Sequence, residues 1–257
     1  MENELIRCEV QDYIARVTMD RPPVNAVNGQ FLDELTRTFD TLSDRPDVRV
    51  AILTGAGRTF CAGADIKARL EREPQPGDFW QHSRRAREAF HAIVECRVPV
   101  IAAINGVALG AGLAIVASCD ILVASESGVL GLPEINVGLL GGGRHAMRLF
   151  SHSKVRRLML TGQRIAGPEL YRLGVVEECV PADRLMEAAT AIAADIASKS
   201  PLATRLAKHA LNTIEFMNLR DGYRFEQNMT GELSKSEDSK EAMQAFAEKR
   251  PAVFKGP

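Results

Sequence analysis

The stretch INGVALGAGLAIVASCD at 104–120 limits the possible folds more than any other part of the chain. It leaves the apolar run Val100–Ile104, turns through Asn105-Gly106, meets Gly110-Ala111-Gly112 and continues without charge to Asp120. This reads as a buried strand, a turn, and a buried helix whose first turn is nearly bare backbone. The first N–H groups of a helix lack internal partners and sit at the positive end of its dipole. Glycine and alanine let a ligand approach that backbone closely, so such a start can hold a negative oxygen. Taken alone, the same composition also suits a small-residue helix packed inside a core.

The flanking sequence sets this stretch in an alternating α/β chain. Leu5–Val10 and Tyr13–Met19 read as strands joined at Gln11-Asp12. After the Arg21-Pro22-Pro23 break, Asn28 is placed to cap a helix over 29–42, in which Phe31, Leu32, Leu35, Phe39 and Leu42 recur at helical spacing. Val48–Thr54 is a buried strand and runs into a loop of small residues over 55–67. A polar loop over 71–78 precedes a helix over 79–96, and a short strand over 121–124 follows the central stretch. From about residue 152 the pattern is mostly helical, and the basic tail EKRPAVFKGP is expected to be ordered only against something else. No sequence repeat is evident.

Charge and cysteine usage narrow the class. The formal net charge is -1, with a sequence pI of about 6.5, so no global basic field points to nucleic acid. The cysteines Cys8, Cys61, Cys96, Cys119 and Cys179 are scattered without a CxxC, which favours reduced thiols in a cytoplasmic protein over a disulfide frame or metal site. The start MENELIRCEV has no apolar core, so no signal peptide is expected, and no run reaches the ~18 apolar residues of a membrane span. His82, His91, His145, His152 and His209 are dispersed and no G-x-S-x-G occurs, which weighs against a serine nucleophile.

Six motifs in order carry a resemblance: RPPVNA at 21–26, RTFCAGADIK at 58–67, INGVALGAG at 104–112, SCD at 118–120, GLPEINVGLLGGG at 131–143 and AFAEKRPAVFKG at 245–256. With them the chain resembles the enoyl-CoA hydratase/isomerase (crotonase) family over nearly its whole length. The resemblance implies an α/β fold, a spiral of ββα units over 1–195 with a C-terminal helical trimerisation region over 196–257. It implies an acyl-CoA substrate, no metal or redox cofactor beyond coenzyme A as part of that substrate, and a homotrimer or dimer of trimers.

By match to the family motifs, the backbone N–H groups of Ala64 and Ala111 are the pair that would stabilise a thioester oxyanion, although the family often has glycine at the second position. Coenzyme A would lie along Val24, Ala26, Ala62, Asp65 and Ile66, with Lys67 and Arg58 open to its phosphates. Lys249 and Phe246 match tail residues that reach the coenzyme and acyl pocket of a neighbouring subunit. Trp80, Arg84 and His145 are candidates for the acyl pocket wall, although a helix surface is the plainer place for His145.

The family's hydratases use two glutamates. The first position is Ala114 here, within the substrate pocket, and the second is Glu134. A single base facing an apolar pocket, with a raised pKa, suits proton transfer between C2 and C4 of an enoyl chain. Isomerase chemistry is therefore favoured over two-glutamate hydration. The dienoyl-CoA isomerases carry an aspartate where this chain has Gly142, which sets that reaction aside. Alternatives are a hydroxycinnamoyl-CoA hydratase-lyase, another acyl-CoA hydrolase or lyase, and, in a different class, an inactive acyl-CoA-binding or RNA-binding relative. The lyases commonly have serine at the Ala114 position and phenol-binding tyrosines, and Tyr13, Tyr171 and Tyr223 stand in no matching motif.

Overall fold

A computed structural model describes residues 4–71, 73 and 75–254. Parts of the expected 71–78 loop and of the basic tail, and the first three residues, lie outside that description. The chain begins with β1 (Ile6–Gln11), β2 (Ile14–Met19) and α1 (Gly29–Asp44). Next come β3 (Val50–Gly55), β4 (Thr59–Cys61), α2 (Ile66–Leu70) and α3 (Asp78–Glu95). The central stretch forms β5 (Val100–Ile104), β6 (Val107–Leu109) and α4 (Ala111–Ser118). It is followed by β7 (Ile121–Ser125), β8 (Val129–Gly131), a 3-10 turn over Pro133–Val137, α5 (Gly143–Leu149) and α6 (His152–Thr161). The remainder is β9 (Arg164–Ala166), α7 (Gly167–Arg172), β10 (Glu178–Val180), a second 3-10 turn over Ala182–Arg184, α8 (Leu185–Ala197), α9 (Pro201–Ile214), α10 (Leu219–Leu233) and α11 (Glu237–Glu248).

Among the described residues the strands form two sheets. The larger has the order β1-β2-β3-β5-β7-β10, and the smaller β4-β6-β8-β9. The β3–β4, β5–β6 and β7–β8 pairs each step from the large sheet to the small one before the chain turns helical, so the fold repeats although the sequence does not. The short strands β4, β6, β8 and β9 are not foreseen by the sequence pattern. Three residues are too few to show a period.

The large sheet is covered on both faces, which is why its strands read as continuous apolar runs. Ala51, Leu53, Ala102 and Ile104 join one core with α1, α3 and α4. Val50, Ile52, Ile101 and Val123 face α8 through Leu185, Ala189 and Ala193. Helix α1 is stopped at its start by Asn28, whose side chain accepts from Phe31 N at 2.8 Å.

Beyond α8, the helix α9 is tied to the core by Lys208, which is 5% exposed. Its Nζ lies 2.8 Å from Asp120 Oδ2 and donates to Ile93 O and Val98 O at 3.2 and 3.1 Å. Asp120 also accepts from Val100 N at 2.7 Å, so the SCD motif joins a strand start to the C-terminal helices. The tail departs from expectation: its own chain orders it as far as Phe254. Arg49 donates to Phe254 O at 3.0 Å and Val253 N donates to Glu241 Oε1 at 2.9 Å.

Candidate active site

Three loops meet where β2, β3 and β5 leave the large sheet. Asn25, buried with φ of 53°, fastens the first to the second. Its Nδ2 donates to Ala56 O, Thr59 O and Phe60 O at 3.1, 2.7 and 3.3 Å, and its Oδ1 accepts from Arg21 N at 2.9 Å. Asn105 fastens the second to the third: its Oδ1 accepts from Gly55 N at 3.1 Å and its Nδ2 donates to Gly57 O at 3.0 Å. Arg21 donates to Ala26 O at 2.8 Å and pairs with Asp65 at 2.8 Å. Sequence reasoning assigned Asn25, Asn105 and Arg21 no role. Their presence inside the motifs was the available signal.

Ala64 forms an isolated parallel bridge with Val27. The bonds of that bridge run from Val27 N to Gly63 O, 2.8 Å, and from Asp65 N to Val27 O, 3.0 Å. The N–H of Ala64 itself has no hydrogen-bond partner among the described residues. The same holds for the N–H of Ala111, the first residue of α4, because the turn closes later with Ala114 N to Gly110 O at 3.0 Å. The two loops touch. A Cβ added at Gly63, where φ is +96°, would lie 2.8 Å from Leu109 O and 3.8 Å from Ala111 N. A Cβ at Gly112 would collide with Cys61 O. Two open backbone donors therefore stand on adjoining loops, each on a rigid support.

Glu134 lies in the 3-10 turn after β8. Its Oε1 occupies the space that a Cβ at Gly110 would need. Its Oε2 is buried without a hydrogen-bond partner among the described residues. Burial pushes the Glu134 carboxyl above the ordinary carboxylate range. A buried carboxyl oxygen left unpaired is costly in a resting protein, and the other oxygen of the same group lies against Gly110, the residue before the open Ala111 N–H.

The other candidate positions divide. Ala114 is 2% exposed in the first turn of α4 and offers no polar group. Ala62 N donates to Val24 O at 3.1 Å, so Val24, Ala26 and Ala62 lie on the joined loops. The carboxylate of Asp65 accepts from Ala68 N and pairs with Arg21, and these partners hold its pKa down. Ile66 is half-buried, whereas Arg58 and Lys67 are exposed. Trp80 and Arg84 lie on the exposed N-terminal part of α3. Phe246, 88% exposed, and Lys249 stand at the end of α11. Two surface hollows, one beside β1, β2 and α8 and the other between β7, α8 and the end of α4, contain neither Glu134 nor the two open donors.

A spiral of strand–strand–helix units with C-terminal helices is the crotonase class of fold. The description Enoyl-CoA hydratase/isomerase belongs to the family profile that matches residues 9–257. A hydrolase of Rhodococcus jostii, named for (7aS)-7a-methyl-1,5-dioxo-2,3,5,6,7,7a-hexahydro-1H-indene-carboxyl-CoA, is 38% identical over 92% of each chain. The short-chain-enoyl-CoA hydratase of Clostridium acetobutylicum is 36% identical over 97% of each chain. The crystal structure of an enoyl-CoA hydratase from Bacillus anthracis superposes with a TM-score of 0.93 at 33% identity, covering 98% of this chain and all of that one. The chain belongs to the enoyl-CoA hydratase/isomerase family and is a crotonase-type acyl-CoA enzyme.

Proposed function

We propose that this enzyme transfers a proton within an enoyl-CoA, converting a 3-enoyl thioester to the 2-enoyl isomer, with Glu134 as the single acid–base. The observation that carries this reading is the unpartnered, buried Glu134 Oε2 beside Gly110, together with an alanine at 114. Glu134 takes the proton from C2 and returns it at C4. The N–H groups of Ala64 and Ala111 hold the enolate oxygen in between, a contribution worth about 3–4 kcal/mol per donor in comparable sites. A raised carboxyl pKa brings donor and acceptor strengths closer and so suits a group that both takes and gives the proton. Ala114 leaves no second carboxylate to hold an attacking water.

In this reading Val24, Ala26, Ala62, Asp65 and Ile66 line the coenzyme and Lys67 meets its phosphates. Lys249 and Phe246 serve a neighbouring subunit of a trimer or dimer of trimers. The exposure of Leu211, Phe216, Leu219 and Phe246, at 65, 69, 89 and 88%, supports burial of the 196–257 region between copies. The free thiols support a cytoplasmic setting. The reading requires no metal or redox group.

A second reading is favoured by the dioxo-indene carboxyl-CoA hydrolases of Rhodococcus jostii and Mycobacterium tuberculosis, at 38 and 39% identity. Here Glu134 would activate a water instead of taking a substrate proton. The test is turnover of trans-3-hexenoyl-CoA and crotonyl-CoA in parallel. Formation of 2-hexenoyl-CoA, lost in Glu134→Ala, supports the isomerase. Efficient hydration of crotonyl-CoA removes the argument from Ala114, and turnover of neither substrate directs attention to the hydrolase.

A further inference from the structure

Helix α4 is fastened at its far end. It carries Ala111 at its start and continues with small and aliphatic residues up to Ser118, whose hydroxyl turns back to Ala114 O at 2.8 Å. Apolar packing is non-directional and sets no sharp position along the helix axis. Among the described residues a single hydrogen bond ties 111–118 to another element: Arg148 Nη1, in the last turn of α5, donates to Ala117 O at 2.6 Å. That carbonyl is one of those a helix end leaves without an internal partner, and a cation is favoured there.

Arg148 is itself held. Its Nε and Nη2 reach Glu215 Oε1 and Oε2 at 3.1 and 3.0 Å, a two-point pairing in which both side chains are partly buried. Glu215 stands at the C-cap of α9. Lys208, Asn212 and Glu215 follow at i, i+4 and i+7 and so share one face of that helix. Asn212 Nδ2 donates to Val94 O at 2.7 Å, and Lys208 pairs with Asp120, just beyond α4, at 2.8 Å. One polar face of α9 thus grips the ends of α3 and α4 together. Helix α5 leads from there back to the site. A Cβ added at its N-cap Gly142 would lie 3.6 Å from Gly110 O, and one at Gly141 would lie 3.6 Å from Glu134 Oε1. Helix α5 therefore lies along α4 with like ends together, touching it near Gly110 and at Ala117.

We propose that Arg148, locked by Glu215, is a positioning residue that fixes α4 along its axis and so places the Ala111 N–H for the thioester oxygen. The inference rests on the reading of Ala111 as an oxyanion donor and adds what holds that donor in place. The eight residues of α4 span about 12 Å. A helix this short moves as one unit, so a displacement at Ala117 is carried to Ala111. Donors must stay within about 0.5 Å of the productive geometry, and a misplacement of about 1 Å can cost about a hundredfold in rate. The C-terminal helices thereby set the geometry of a donor at the opposite end of α4 without touching substrate.

The test uses the full-length protein with butyryl-CoA isotope-labelled at the thioester carbonyl, a saturated ligand whose binding is read without turnover. Difference infrared spectroscopy follows the carbonyl stretch of the bound thioester, which falls as N–H donors polarise it. In the wild type the stretch is expected to lie below that of the free thioester in buffer. Arg148→Met misplaces one of the two donors and should lose about half of that displacement. Glu215→Gln should lose a smaller part, and Arg148→Lys, which still reaches Ala117 O with one charged donor, should recover some of what Arg148→Met loses. The dissociation constant of butyryl-CoA should stay close to the wild-type value in all three, and the thermal midpoint of each separates a general loss of stability from this specific one. A displacement unchanged in folded Arg148→Met, or in Glu215→Gln if the methionine variant does not fold, overturns the proposal and leaves the oxyanion reading standing. No displacement in the wild type overturns the reading of Ala64 and Ala111 as oxyanion donors, and the proposal with it.

Discussion

Glu134 and Gly110 share one space: the carboxylate Oε1 rests where the side chain of residue 110 would begin. Gly110 has φ of 55° and ψ of -113°, a conformation open essentially to glycine, and the next residue supplies the open N–H of Ala111. The same backbone kink thus clears room for the Glu134 carboxylate and leads directly into the open Ala111 N–H.

Gly110→Ala is expected to damage both. The added methyl displaces Glu134 and strains the backbone, at a cost on the order of 1–3 kcal/mol. Urea unfolding measures that loss, and turnover should fall more steeply than stability because the carboxylate moves. Unchanged kinetics would contradict the shared space.

Glu134→Gln preserves shape and removes the proposed base. Loss of a positioned general base typically costs 10²–10⁴-fold in rate, and kcat for the 3-enoyl substrate should fall within that range. Binding of a saturated acyl-CoA should change little, because the residues proposed to line the coenzyme lie on other loops.

Stability should respond to pH through the same residue. The folded-state pKa of Glu134 is raised by burial, so between the ordinary carboxylate pKa and the raised one the native state holds a proton that the unfolded chain has lost. This contribution to stability is fully present below the unfolded pKa and declines as pH rises through the folded one. The thermal midpoint of Glu134→Gln should therefore gain on the wild type as the pH rises above the ordinary carboxylate range, and level off above the raised folded-state pKa. A constant difference would show that the carboxyl is not desolvated.

Lys208→Met breaks the buried pair with Asp120 and removes the ammonium from two carbonyls. Breaking a buried pair from one side costs about 3–5 kcal/mol. Asp120 retains Val100 N and is one-quarter exposed, so the lower end of that range is expected from urea titration. Because α9 is anchored here, early proteolysis should fall C-terminal to residue 197.

If the C-terminal helices pack between copies, Leu219→Lys should shift sedimentation towards the monomer, since a charge placed in an apolar interface meets no partner. Leu219 is 89% exposed within one chain, so the isolated subunit should remain folded.

Much was legible without coordinates. Asn28 before an amphipathic run announced α1 and its cap, because a cap is a local interaction. Uninterrupted Val, Ile and Ala runs announced the strands of the doubly covered sheet. The bare helix start after Gly110 pointed to an open N–H, and the ordered motifs led to Glu134. Tertiary structure alone decided which groups are left unpaired. The three-residue strands exist only because neighbours from distant turns hydrogen-bond to them. Asn25 and Asn105 act as cross-ties between loops up to about fifty residues apart. The burial of Glu134 Oε2 and the exposed position of Phe246 within the chain depend on contacts beyond any sequence window. Local propensity is written in neighbouring residues, whereas desolvation and the company of a side chain are set by atoms that the fold brings from elsewhere.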